Sequence, residues 1–278
     1  MATDTLFEVP VLDTVSPEGN PPTGKITCTT PSAGVYLLTF NAPPDNRLTT
    51  QFCQAVLLAL DILEFSHPTG VLMTTSAITK FYSNGLDLNH ATSTPGFFSS
   101  SLYAMFKRFL TYPMPTVALV NGHAFAGGFM TAMYHDYRIF NPSRGFLCLN
   151  ELDLGVPLRP AMSSIFRQKL TPAVYKVMVI EARRFGAKEA LDSGIVDGLG
   201  GLQEALKFIE ERKLVTKGST GVYGDLKAEM FRETVGYLDG DEREEERSRG
   251  LYKIEDQRRK EGNRRVDEWK RSKSGAKL

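Results

Sequence analysis

Residues 116–128, Thr-Val-Ala-Leu-Val-Asn-Gly-His-Ala-Phe-Ala-Gly-Gly, join a short apolar run to a glycine-rich turn. The aliphatic and β-branched side chains of Thr116–Asn121 predict a buried strand. The small residues of Gly122–Gly128 predict a tight turn, and Phe129–His135 then favours a helix. A strand that leads through a small-residue turn into a helix is a building unit of α/β proteins.

The same alternation extends in both directions from this stretch. Towards the N-terminus, strands are predicted at Val35–Phe40 and Gly70–Thr75, with an amphipathic helix between them. Towards the C-terminus, short strands at Tyr137–Phe140 and Gly145–Leu149 precede a region that is mostly helical from Pro160 onward. The chain is therefore predicted to have an α/β fold.

Four segments are predicted along the 278 residues. Residues 1–31 contain several Pro, Gly and Thr and show no sustained apolar period, which predicts a loosely ordered lead-in. Residues 32–200 are predicted to form the core, and residues 201–240 a helical C-terminal region. Residues 241–278 are predicted to form a charged helical tail, because charges of both signs dominate Asp241–Lys273.

Composition excludes several classes of protein. The 33 Lys and Arg balance 32 Asp and Glu, so no bulk charge indicates nucleic acid or a membrane surface as a partner. The apolar runs are shorter than the ~20 residues that a spanning helix needs. Cys28, Cys53 and Cys148 are predicted to be buried, reduced thiols, and four histidines without a Cys/His cluster indicate no metal site.

Two glycine-bearing turns, in Phe81–Leu88 and Asn121–Gly128, each follow a predicted strand. Glycine allows a backbone to approach a ligand closely, and an N–H group at a helix N-terminus is a ready donor to negative charge. Two such donors aimed at one point would form an oxyanion hole, which holds an enolate or a tetrahedral oxyanion. Neither turn fits the dinucleotide-binding pattern or the P-loop pattern.

The segment Leu149–Pro157 places two carboxylates, Glu151 and Asp153, among apolar residues. A carboxylate in such surroundings at the end of a strand is a candidate for a raised pKa and for general-base catalysis. If the segment is a strand, the two acids lie on the same face. If it is a turn, their side chains can point in different directions. The alternatives are that both are exposed turn acids, or that Asp153 caps the next segment.

In this order and spacing, these three segments and Phe185–Asp197 resemble the crotonase (enoyl-CoA hydratase/isomerase) superfamily, and within it the peroxisomal Δ3,Δ2-enoyl-CoA isomerases. The resemblance covers Val35 to Gly198. It implies a spiral of ββα units with a helical C-terminal region, assembled as a homotrimer or hexamer. It also implies an acyl-CoA substrate and no metal or redox cofactor, since CoA is part of the substrate.

The resemblance further implies a catalytic site. Leu86, which follows Gly85, and Gly127, the first glycine of the Gly-Gly pair, would donate their backbone N–H groups to the thioester oxygen. Glu151 would be the catalytic acid and base. The first loop contacts CoA in the family, so the implied substrate-binding residues are Ser83, Asn84, Gly85, Leu86, Asp87 and Leu88, together with Gly127.

Met130 occupies the position at which hydratases of the family carry the first of two glutamates, while the second matches Glu151. Hydration needs two groups, whereas isomerisation of a 3-enoyl to a trans-2-enoyl thioester needs one carboxylate, which moves a proton from C2 to C4. The resemblance therefore implies an isomerase of unsaturated fatty acid β-oxidation. The apolar Met130 is expected to keep water scarce and to raise the pKa of Glu151.

Two alternatives stay open. The first is a hydratase or dehydratase of a specialised acyl-CoA in secondary metabolism, which would need a second carboxylate such as Asp153. The second is a non-catalytic member that uses its basic tail to hold RNA or a protein, against which Glu151 and both glycine turns argue. The C-terminal Ala276-Lys277-Leu278 is a variant of the Ser-Lys-Leu address and predicts a peroxisomal location through the import receptor.

Overall fold

The computed structural model describes residues 5–12 and 24–275. The strands in these ranges are β1 (Thr5–Val11), β2 (Gly24–Ser32), β3 (Val35–Asn41), β4 (Val71–Ser76), β5 (Phe81–Ser83), β6 (Thr116–Val120), β7 (His123–Phe125), β8 (Tyr137–Phe140), β9 (Leu147–Cys148) and β10 (Gly198–Leu199). The helices are α1 (Thr50–Ser66), α2 (Leu88–Ser93), α3 (Ala104–Leu110), α4 (Gly127–Met133), α5 (Glu151–Leu154), α6 (Pro160–Lys169), α7 (Pro172–Ile180), α8 (Ala187–Asp192), α9 (Leu202–Glu211), α10 (Tyr223–Met230), α11 (Arg232–Asp239) and α12 (Asp241–Gly275). A π-helical turn, Phe98–Tyr103, leads into α3, and a 3-10 turn, Leu214–Thr216, follows α9.

The larger sheet has seven strands in the order β1-β2-β3-β4-β6-β8-β10. From β3 to β10 neighbouring strands are parallel, while β1 and β2 pair antiparallel at one edge. Helices cover both faces, because Leu38 packs in a cluster with α1 and α3, whereas its neighbour Leu37 packs in a second cluster with α9. The six residues of β4 are accordingly all buried, as in a sheet covered on both sides.

The smaller sheet has three short strands in the order β5-β7-β9, all parallel. Parallel strands present their carboxyl ends at one edge of a sheet. The segments that follow Ser83, Phe125 and Cys148 therefore leave this sheet side by side. This small sheet, rather than the large one, positions the candidate site.

The α/β fold class and the helical C-terminal region are confirmed. The amphipathic helix predicted between the first two strands is α1, and the Thr49 hydroxyl caps it by accepting a hydrogen bond from Phe52 N at 3.2 Å. The strand predicted at Gly70–Thr75 is β4, shifted by one residue. The three cysteines are buried free thiols, as predicted.

The prediction of a loosely ordered lead-in over residues 1–31 is wrong for the residues that the structure describes. Residues Thr5–Val11 and Gly24–Ser32 form β1 and β2, which extend the large sheet. Their buried residues alternate along the strand, with Ile26 and Cys28 facing inward in β2. So short an alternation is a weaker signal in a sequence than the repeated apolar spacing of a helix, which is why these strands were missed. Pro10 is tolerated because β1 is an edge strand.

The chain divides into two compact units, with the boundary after Asp239. The first unit contains both sheets and α1–α11, so residues 201–239 belong with the core rather than to a separate region. The second unit carries α12, a 35-residue helix rich in charge. The targeting tripeptide Ala276-Lys277-Leu278 lies outside the described residues. None of the helices in the described ranges combines the length and apolar character needed to cross a membrane.

Candidate active site

The three predicted catalytic positions lie at the carboxyl edge of the small sheet. Leu86 comes three residues after β5, Gly127 two residues after β7 and Glu151 three residues after β9. Neighbouring strands lie ~4.8 Å apart, so segments that follow adjacent strands emerge close together. Positions that are 65 residues apart in sequence, from 86 to 151, are thereby brought to one edge.

The two glycine turns approach each other closely. A Cβ atom on Gly85 would lie 3.1 Å from Gly127 N, and a Cβ atom on Gly127 would lie 3.5 Å from Leu86 N. Gly85 also has a φ of +79°, which favours glycine. In the described part of the chain, no acceptor receives a hydrogen bond from the amide of Leu86 or Gly127. Two unengaged backbone donors therefore stand near each other.

The start of α4 directs the second donor. The Ala126 carbonyl accepts a hydrogen bond from Met130 N at 2.9 Å and so points along the helix. The Gly127 N–H belongs to the same peptide and points the opposite way, out of the helix end. Ala126 adopts a φ of +47°, a strained value for a residue with a side chain, which the turn between β7 and α4 imposes.

Glu151 is the first residue of α5 and is only 8% exposed. It lines a cavity of about 250 Å³. The other side chains around this cavity are apolar: Leu149, Leu152, Val156, Leu158, Val179 and Ile180. Burial in this setting raises the pKa of Glu151 to about 7, and its Oε2 atom has no hydrogen-bond partner among the described residues. A carboxylate in this state is suited to accept a proton at neutral pH.

The structure separates Glu151 from the other acid of the same segment. The segment is a helical turn rather than a strand, and Asp153, two residues on, is exposed. Met130 is wholly buried in α4 and does not line the cavity around Glu151. Burial raises the pKa of Glu151, and the expectation that Met130 contributes to this stays a prediction.

Two of the predicted substrate-binding residues hold the first loop through their own side chains. The Ser83 hydroxyl donates to the Asn46 carbonyl at 2.7 Å and is 1% exposed, while Asp87 caps α2 by accepting a hydrogen bond from His90 N at 2.9 Å. These two side chains shape the loop from within. Leu86 is 8% and Leu88 41% exposed, and their predicted contacts with substrate stay predictions.

Sequence reasoning missed the turn that supports this loop. Residues 41–45 are rich in turn-favouring residues, but nothing in that cluster points to Arg47, which donates to the carbonyls of Asn84 and Leu86 at 3.2 and 3.0 Å. Asn46, wholly buried, donates to the Tyr82 carbonyl at 3.0 Å. The one local signal was an asparagine followed by an arginine at the end of a turn cluster, which does not identify partners almost 40 residues away.

The buried histidine His135 contributes to the packing of the first unit. His135 is wholly buried, its Nε2 lies 2.9 Å from the Thr74 hydroxyl, and burial lowers its pKa to about 3. It therefore stays neutral at physiological pH. Among the residues that the structure describes, no group of three or more His, Cys, Asp or Glu is arranged to hold a metal ion.

Comparisons with known proteins identify the family of this chain. A family model described as "Enoyl-CoA hydratase/isomerase" matches residues 30–268. The Arabidopsis thaliana protein "Enoyl-CoA delta isomerase 2, peroxisomal" is 29% identical over 227 residues, which cover 76% of this chain and 95% of that protein. "Enoyl-CoA delta isomerase 1, peroxisomal", from the same plant, is 34% identical over 186 residues, 63% of this chain and 76% of that protein.

Among solved structures, human mitochondrial delta3-delta2-enoyl-CoA isomerase matches with a TM-score of 0.65. The match covers 84% of this chain and 98% of the human chain at 22% identity. At that identity the likeness concerns the fold alone.

Proposed function

This chain belongs to the enoyl-CoA hydratase/isomerase family and is an enzyme of the crotonase superfamily, and we propose that it isomerises 3-enoyl-CoA to trans-2-enoyl-CoA. The predicted crotonase-like fold is confirmed by the structural match. The observation that carries the proposal is one buried carboxylate, Glu151, at the sheet edge that also presents the unengaged amides of Leu86 and Gly127.

The proposed reaction moves one proton and one double bond. Glu151 Oε2 takes a proton from C2, and the electron pair of that C–H bond moves into the thioester, whose oxygen becomes an enolate oxygen. The N–H groups of Leu86 and Gly127 donate hydrogen bonds to this oxygen, where charge develops. The protonated Glu151 then returns the proton to C4, which leaves the double bond between C2 and C3.

Hydration is disfavoured by the same arrangement. Adding water across a 2-enoyl thioester needs one group to activate the water and another to handle the proton at C2. Asp153, the second acid considered from the sequence, is exposed, and Met130 has no proton-accepting group. The apolar cavity around Glu151 also offers few partners for an ordered water.

The remaining parts of the proposal concern the setting of the enzyme. Relatives whose names include "peroxisomal", together with the Ala276-Lys277-Leu278 terminus, support a peroxisomal location and uptake by the import receptor. A role in the β-oxidation of unsaturated fatty acids follows from the substrate. A homotrimer or hexamer is proposed on family resemblance. The reaction as written needs no redox cofactor, because no electrons leave the substrate, and the two backbone N–H groups take the place that a metal ion could have at the enolate oxygen.

Incubation of the pure protein with 3-hexenoyl-CoA and, separately, with 2-hexenoyl-CoA tests this function. Product analysis by NMR is expected to show conversion of the first to trans-2-hexenoyl-CoA, and no 3-hydroxyhexanoyl-CoA from the second. Hydration of 2-hexenoyl-CoA without isomerisation of 3-hexenoyl-CoA would assign the protein to the hydratase alternative. Absence of both reactions would favour a non-catalytic member of the fold.

A further inference from the structure

The turn Asp45-Asn46-Arg47 and the residue after it hold the loop that follows β5. Arg47 Nη1 donates to the carbonyl oxygens of Asn84 and Leu86, at 3.2 and 3.0 Å. The backbone N–H of Leu48 donates to the Gly85 carbonyl between them, at 2.9 Å. Three consecutive carbonyl groups of the loop are thus engaged by two adjacent residues.

This pattern fixes the direction of one particular amide. A trans peptide is planar, and its C=O and N–H bonds point in opposite directions. The N–H of Leu86 shares its peptide plane with the Gly85 carbonyl, which Leu48 holds. Arg47 holds the peptides on either side of that plane. The Leu86 N–H therefore points away from Leu48 and has little freedom to rotate.

Arg47 is itself oriented by the loop that it holds. Its Nε atom donates to Asp45 Oδ2 at 3.1 Å, and the same oxygen accepts a hydrogen bond from Asn84 Nδ2 at 2.6 Å. The Asp45 side chain is 12% exposed and that of Arg47 is 41% exposed. A planar guanidinium can serve a carboxylate and two carbonyls at once, which a lysine ammonium on its flexible stem does less well.

We propose that Arg47 is a positioning residue that aims the Leu86 amide at the thioester oxygen. This inference rests on the proposed function, since it names the group that orients one of the two oxyanion donors. Arg47 acts through the loop and touches no reacting atom. Preorganised donors are effective because they need no reorganisation when charge develops, so a loosened Leu86 peptide lowers the rate of enolate formation.

A half-exposed arginine near an acyl-CoA site has a competing role, direct contact with the phosphates of CoA. The two roles differ in what they change. Loss of a phosphate contact raises KM for a CoA thioester and leaves a thioester without phosphates unaffected. Loss of loop positioning lowers kcat for both, because the thioester oxygen is common to both substrates.

The test compares Arg47→Met with wild type on 3-hexenoyl-CoA and on 3-hexenoyl-pantetheine, which lacks the nucleotide. We expect kcat to fall by about 10- to 100-fold on both substrates. Arg47→Lys, which keeps the charge, is expected to give an intermediate rate. It provides a second measurement in case Arg47→Met does not fold. Arg232→Met is the control, because Arg232 also forms an ion pair, with Glu229, but on an exposed helix surface.

Unchanged kcat in Arg47→Met, or a rise in KM confined to the CoA substrate, would overturn the inference. If wild type is inactive on both thioesters, the proposed function fails instead. Hydrogen–deuterium exchange of the backbone amides of residues 84–88 then tests whether Arg47 holds this loop. Faster exchange in Arg47→Met than in Arg232→Met supports the positioning role. Equal exchange in the two variants contradicts it.

Discussion

Glu151 combines burial with an unsatisfied carboxylate oxygen, and this combination has a consequence for the pH dependence of catalysis. The base must be ionised to take a proton, and its pKa is raised from 4.5 to about 7 by burial. We therefore expect kcat/KM to fall about tenfold for each pH unit below pH 7 and to level off above it. A pH–rate profile that stays flat from about pH 5 to pH 7 would contradict this expectation.

The same group makes the free energy of unfolding depend on pH. Its folded pKa of about 7 lies above the unfolded value of 4.5, so the folded state binds more protons between these pH values. The contribution of Glu151 to the free energy of unfolding is therefore fully present below pH 4.5. It is lost as the pH rises through 7, and the loss is about 3 kcal/mol at most. We expect Glu151→Gln, which carries no charge, to lack this loss.

Urea unfolding of wild type and Glu151→Gln at pH 5 and pH 8 measures the difference. Wild type should lose more stability than the variant between the two pH values. Parallel changes in the two proteins would mean that the Glu151 carboxyl titrates normally.

The residues of the site differ in how far the sequence could predict them. Thr49 and Asp87 cap helices through contacts with residues three positions away, which is a local pattern. The apolar flanks made Glu151 a candidate beside Asp153, whereas the choice of Glu151 and the roles of Leu86 and Gly127 came from the resemblance. Arg47 was missed because its partners lie 37 and 39 residues away, and only the fold brings them together.

At the scale of elements, a buried ion pair fastens α10 to the rest of the first unit. Lys227 Nζ lies 3.0 Å from Asp136 Oδ1, and both side chains are less than a tenth exposed. Lys227 also donates to the Phe109 carbonyl at 3.2 Å, while Asp136 accepts a hydrogen bond from Thr116 N at 2.9 Å. The pair therefore links α10 to β6 and to the end of α3.

Replacing Lys227 by Met is expected to destabilise the protein by about 3–5 kcal/mol, because it leaves the Asp136 carboxylate buried without a cation. The double variant Lys227→Met/Asp136→Asn should recover part of this loss. Lys107→Met is the control, since Lys107 pairs with Asp239 at the surface and should change stability by no more than about 1 kcal/mol. Chemical unfolding gives all three values, and equal effects of Lys227→Met and Lys107→Met would refute the account.

Elements were predictable where a long apolar period existed. Helix α1 and the helices after Pro160 follow from such periods. The stretch Leu102–Tyr112 is amphipathic, but its first two residues belong to a π-helical turn that begins at Phe98, and the helix α3 begins only at Ala104. The π-helical turn has only six residues, too few for an apolar pattern to show which backbone hydrogen bonds form.

At the scale of the whole molecule, the second unit is a helix that carries its own stabilising charges. Glu255 pairs with Arg258 and Arg259, Asp256 with Lys260, and Glu261 with Arg264. These pairs are three or four residues apart, as helix-stabilising pairs are. Five of the first six residues of α12 are acidic and its last turns are rich in Lys and Arg, an order that suits the helix dipole.

A peptide of residues 241–275 is therefore expected to be largely helical in dilute buffer and to lose helix in about 1 M NaCl, since salt screens these pairs. Circular dichroism measures this change. A peptide in which Glu255, Asp256 and Glu261 are replaced by their amides serves as the control and should respond less to salt. Helicity that is independent of salt in both peptides would contradict the assignment.

The sequence predicted the fold class better than it predicted how the strands pair into sheets. Strand–turn–helix alternation predicted the α/β fold, because it depends on patterns within short windows. The pairing of β5, β7 and β9 in a separate small sheet was not predictable, since each strand has only two or three residues. That small sheet nevertheless determines which loops meet at the site.

The central claim is that Glu151 alone, with the Leu86 and Gly127 amides, moves the proton. The most direct measurement is the rate at which wild type, Glu151→Gln and Asp153→Asn convert 3-hexenoyl-CoA, with products identified by NMR. The account predicts that Glu151→Gln loses at least about 10³-fold in kcat, whereas Asp153→Asn stays near wild type. Substantial activity in Glu151→Gln, or loss of activity in Asp153→Asn, would contradict it.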